Sequence, residues 1–190
     1  MMRLVVVVTL MVLAYPLEAA AQARQDPGPL LAAQQQAMAP LKYMDGVWRG
    51  PAWTLTPGGK HEIVQTERIG PFLNGTIKVI EGRGYGADGK VTFNALGIVS
   101  FDPAKKAYSM RSYAMGHSGD FPVTLRADGF NWEIPAGPGK IVYTATVKDN
   151  VWHEVGDRVM PGQVPQRFFE MKLQRVGDSD WPAAGAVPAK

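Results

Sequence analysis

From Val47 onward, apolar and polar residues alternate with a period of two, and Gly, Pro, Asn and Asp interrupt the pattern at short intervals. Ten strands are predicted, over 47–55, 61–69, 73–83, 91–101, 107–116, 120–126, 130–134, 140–148, 151–160 and 167–176. Pro57-Gly58-Gly59, Asp88-Gly89, Asp128-Gly129 and Asp149-Asn150 suit tight reversals, and Asp102-Pro103 before Lys105-Lys106 is a further turn. Links this short join antiparallel neighbours, because parallel strands need a long crossover. The expected fold is all-β: a single antiparallel meander barrel of about ten strands, whose interior has room for a small molecule.

The faces of the strands carry the next signal. Ile141, Tyr143, Ala145 and Val147 share one face, as do Phe169, Met171 and Leu173. Elsewhere the alternation is mixed. Ile63 and Ile69 share a face with Gln65 and Glu67, and Ile77 and Val79 share one with Glu81 and Arg83. An interior lined partly by polar groups gives this pattern, and so does a strand twisting from core to rim.

Ahead of the strands, residues 30–38 are rich in helix formers, with Leu30, Leu31, Gln34 and Met38 on one face. Pro40 can open a second short turn carrying Leu41, Tyr43 and Met44. A short N-terminal helix lying against one end of the barrel is expected. Residues 1–23 read as a secretory signal: Arg3, the apolar run Leu4 to Ala14, then Ala21-Gln22-Ala23 as a cleavage site. The domain bounds are then 1–23 for the signal, 24–44 for a flexible lead and the helix, 45–176 for the barrel and 177–190 for a mobile tail. The apolar run is shorter than a membrane-spanning helix, so the expectation is a periplasmic or secreted product with no membrane anchor after cleavage.

Composition narrows the chemistry. With no cysteine, disulfides, thiolate metal sites and a cysteine nucleophile are excluded. The formal net charge of +3 comes from scattered basic residues, Lys105-Lys106 being the only adjacent pair, so no nucleic-acid partner is expected. His61, His117 and His153 have no metal-site spacing, and no metal is expected.

Gly46 and Trp48 at the head of the first strand resemble the calycin superfamily of lipocalins, fatty-acid-binding proteins and nitrobindins. The resemblance implies that Trp48 plugs one end of the barrel beneath an arginine of the last strand, Arg175 or Arg167. A longer stretch, roughly 39–176, resembles a bacterial family of uncharacterised, mostly exported proteins with a calycin-like barrel. The matching segments are 45–50, 97–102 with Lys105, Lys106 and Tyr108, then Arg111 to Gly116, Trp152 to Glu154, and Arg167 to Met171. No cofactor is expected. The nitrobindin resemblance implies haem as the alternative, with His153 as the late-strand ligand, although Ala52 stands where that family's glycine alternation has its last glycine.

Arg111 and Tyr113, on one strand face with Met115 and His117, are the candidates to hold a ligand carboxylate, since guanidinium offers a fixed fork to two oxygens. An outward, surface-paired Arg111 is the alternative; buried, it needs Glu67, Glu81 or Glu154 as partner. Trp53, Tyr108 and Trp132 are the candidates to line an apolar pocket, with Glu154 and the rim residue His117 beside them. His153 and the pair Trp152 and Glu154 must face opposite sides. The expected function is binding of a small apolar or amphipathic molecule. Two alternatives remain: an enzyme with a carboxylate or His117 acting at the mouth, and a filled barrel that engages a partner through its loops.

Overall fold

The computed structural model describes residues 26–183 and residue 187. The strands are β1 (Gly46–Thr56), β2 (Gly59–Phe72), β3 (Ile77–Tyr85), β4 (Val91–Asp102), β5 (Ala107–Ala114), β6 (His117–Arg126), β7 (Gly129–Ala136), β8 (Gly139–Lys148), β9 (Val151–Val159) and β10 (Gln166–Gly177). Each pairs antiparallel with its neighbours along the chain, and β1 pairs with β10 to close the barrel. Closure leaves no unpaired sheet edge. All ten predicted strands are present, joined by the turns their residues favour; Asp149 and Asn150, for example, both adopt positive φ (53° and 59°) in the β8–β9 reversal.

Among the boundaries that differ from the sequence reading, two matter for the interior. β3 begins at Ile77 because Leu73 and Asn74 take positive φ (47° and 55°) and turn the chain first. The β5–β6 hairpin turns at Met115-Gly116, with φ of 50° and 83°, so His117 opens a strand instead of sitting in a longer tip. Ala114 and His117 are therefore partners across the hairpin and share a face.

Asp26 caps helix α1 (Pro27–Met38), accepting a hydrogen bond from the Gly28 N–H, and Pro27 fills the first position. The helix lies against β3 and β4 at one end of the barrel. The Gln34 side chain donates to the Phe101 carbonyl, and the Tyr108 hydroxyl donates to the Ala37 carbonyl at 2.7 Å. Met38 is buried while Leu30 and Leu31 are exposed, so only the C-terminal half of the predicted apolar face is used. A 3-10 turn over Ala39–Met44 then drives Leu41 and Met44 into the end of the barrel, beside Trp48.

This end is sealed. Trp48, Leu41, Met44, Ile69 and Leu173 are almost wholly buried. The Trp48 indole N–H donates to the Met44 carbonyl at 2.8 Å, and its ring meets that of Trp152 edge-on with centroids 5.9 Å apart. Arg175 donates through two nitrogens to the Asp45 carbonyl and pairs with Asp178, so the expected plug arginine closes the end by holding backbone. Arg167 instead pairs with Asp157. Lys78 enters the same end and pairs with Asp45; burial holds its ammonium below the usual lysine range, against the opposing pull of Asp45.

The signal reading on residues 1–23 lies outside the described residues, as do 184–186 and 188–190 of the tail. Trp181 packs on the outer wall, its ring under the Arg68 guanidinium at 4.5 Å.

Candidate functional site

Above the sealed end the barrel is hollow, with a cavity of about 700 Å³. That lies within the range of small-molecule pockets, ~300–1,000 Å³. The filled-barrel alternative is thereby corrected: β3 and β4 place Gly82, Ala95 and Gly97 where bulky side chains would fill the space. The mouth is formed by exposed residues His61, Thr92, His117 and Ser118. The wall is apolar and aromatic. Trp132 stacks face to face on Tyr143 with centroids 4.1 Å apart, Phe121 leans on Trp132, and Phe168 and Phe169 meet Tyr143 edge-on.

The floor is polar. Inward positions of β2 run His61, Ile63, Gln65, Glu67 and Ile69 from mouth to seal, so the mixed face of this strand does line the interior. Glu154 projects from β9 beside Trp152, one step above the seal. Its two oxygens each accept an indole N–H, from Trp132 at 2.9 Å and from Trp152 at 3.1 Å. Glu67 accepts one bond, from the Gln65 amide to Oε1 at 2.7 Å; its Oε2 has no partner among the described residues. Gly82 makes the room: a Cβ there would stand 2.8 Å from one Glu67 oxygen and 3.0 Å from the other.

Burial pushes the Glu67 carboxyl up to about 8; the Gln65 hydrogen bond opposes the rise and the nearby Glu154 charge adds to it. Burial likewise pushes Glu154 up to about 7, against its two indole hydrogen bonds. Tyr143, buried and close to Glu154, is pushed up to about 12. No lysine or arginine borders the cavity among the described residues.

The predicted site residues divide accordingly. Trp132 and Glu154 are brought together inside, His117 stands at the mouth, and Trp53 touches only the rim, its ring under the Lys60 ammonium at 5.2 Å. Tyr108 does not line the cavity; it packs on Phe101 at the sealed end and ties down α1. Arg111 and Tyr113 are a correction. They face outward, Arg111 pairing with Asp120 across the hairpin at 2.6 Å and covering the Tyr113 ring. The cause is the turn at Met115-Gly116, which puts His117 on the face of Ala114, Ser112 and Met110 and leaves Arg111 on the other.

The Ile77, Val79, Glu81 and Arg83 face of β3 is likewise outside, where Glu81 holds both Arg68 and Arg83. His153 points outward too, bonded to Glu170 at 2.8 Å. Haem therefore does not fit through this residue. Glu67, Gln65, Tyr143 and Phe121 were not singled out as site residues, although the mixed face of β2 and the apolar face of β8 carried the signal for three of them.

Neither a family model nor a curated protein matches this chain. Among solved structures it is similar to Rv2717c from M. tuberculosis, with a TM-score of 0.56 and 14% sequence identity over 77% of this chain and 99% of that one. The fold is a calycin-like barrel. At that identity the likeness is one of architecture, and the contents of this barrel have to be read from its own residues.

Proposed function

We propose that the protein is an exported carrier or sensor that holds one small apolar or amphipathic molecule inside its barrel. The observation that carries this reading is the 700 Å³ cavity, sealed at one end, open at the other, and walled by Trp132, Tyr143, Phe121 and Phe169. Apolar walls with a few convergent polar groups are the usual makeup of a ligand site. The signal-like residues 1–23 support export.

The test is mass spectrometry of the exported, soluble protein under native and denaturing conditions. A mass released on denaturation, or acquired by incubation with a total lipid and metabolite extract, is the expected result. A protein that carries and acquires nothing would overturn the reading.

One observation favours a second reading, acid–base catalysis: two carboxyls with raised proton affinity share one floor, an arrangement typical of proton-transfer sites. It moves the expected chemistry from His117 at the mouth to Glu67 and Glu154. Turnover with a bell-shaped pH profile, lost in Glu154→Gln, would support it; binding of the natural ligand without conversion would count against it.

A further inference from the structure

The outer wall and the cavity treat charge in opposite ways. On the wall, Arg68, Arg83, Arg111, Lys140 and Arg167 each have a carboxylate partner. In the cavity two carboxyls are buried without a cation. A group of this kind is costly to bury unless something compensates it. Glu154 is compensated by two indole donors. Glu67 is compensated on one oxygen only, and both of its oxygens border the space that Gly82 leaves open.

We infer that the cavity selects a ligand whose polar end is a basic nitrogen, an amine or a protonated nitrogen heterocycle, seated on Glu67 and Glu154 with its apolar body among the aromatic rings. The inference rests on the container reading and specifies its contents. A cationic nitrogen supplies the donors that Glu67 Oε2 lacks, and a charge-assisted bond of this kind is about twice as strong as a neutral one. Trp132, Tyr143 and Trp152 border the cavity around the floor, and a cation that comes to rest over the face of such a ring is attracted by it. A carboxylate or phosphate head would meet two carboxyls and no counter-charge. This reverses the carboxylate head expected from Arg111, which lies outside.

The experiment compares decylamine, decanol and decanoate, which share a tail and differ in head group, by calorimetric titration of the full-length protein at pH 8.5, where both floor carboxyls are ionised and the amine is still protonated. The expected order is amine tightest, at least about tenfold over the alcohol, with decanoate weakest. The Glu67→Gln, Glu154→Gln double variant should bring the amine to the level of decanol and leave decanol unchanged. The wild-type order decides without any variant having to fold: decanoate binding as tightly as the amine overturns the inference. So does an amine advantage retained by a folded double variant. In either case decanol binding leaves the container reading standing, whereas a protein that binds none of the three loses both.

Discussion

The two ends of the barrel are built from the same alternating strands yet solve opposite problems. At the sealed end, every inward position carries bulk: Trp48, Ile69, Trp152 and Leu173 meet Leu41 and Met44 from the 3-10 turn, and no room is left. Toward the mouth, inward positions go to Gly82, Ala95, Gly97 and Ala114, and the rings that remain stand against the wall. The polar groups follow the same division. Lys78 and Asp45 at the seal form a closed pair, while Glu67 above it keeps an oxygen free. Packing is concentrated where the barrel is full, and room for a bound molecule where it is empty.

The contrast is most sharply broken at Trp48. Replacing it by Ala removes the largest side chain of the seal, and unfolding free energy should fall by about 3–5 kcal/mol in a denaturant titration. A loss below 1 kcal/mol would mean that α1 and the 3-10 turn hold that end without it. A pH-dependent effect is expected at the floor. Glu67 and Glu154 take up protons more readily when folded than when unfolded, so between pH ~5 and ~8 the folded state holds more protons. Their contribution is therefore favourable at low pH and is lost as pH rises through about 7 and 8, a decline of several kcal/mol in the ligand-free protein. The Glu67→Gln, Glu154→Gln variant should flatten that slope and melt higher than wild type at pH 8.5; an unchanged slope would locate the titrating groups elsewhere. The smallest effect belongs to the outer wall. Arg111→Ala should leave ligand binding and the melting curve unchanged, since its pair with Asp120 is exposed to solvent. Weakened binding would return Arg111 to the site.

Much of the architecture was legible because a barrel repeats one rule, and strand number, order and most turns follow from period and punctuation. Sidedness was legible only where the inward face carried mass. β8 declared itself through Ile141, Tyr143, Ala145 and Val147, and β2 through the mismatch of Gln65 and Glu67 with their isoleucine neighbours. β3 left its side open because its inward face is partly glycine, Gly82 and Gly84, whereas outward Val79 pairs with Gly70, which the backbone of Trp181 approaches closely. β5 misled through its turn. Placing the reversal one residue pair later keeps Arg111 and His117 on one face, and the observed turn at Met115-Gly116 separates them.

The seam between β1 and β10 has a consequence for how the chain reaches this state. Nine of the ten strand pairings are hairpins between sequence neighbours, and such contacts form quickly because little chain entropy is lost in making them. The tenth brings Trp53 to Glu170 and so must close nearly the whole domain as one loop, at an entropic cost that grows only with the logarithm of its length. The ring is thus completed by a single long-range encounter. At that seam Gly50 approaches the Lys172 carbonyl so closely that any Cβ would collide with its oxygen, so this part of the long-range encounter is made by bare backbone.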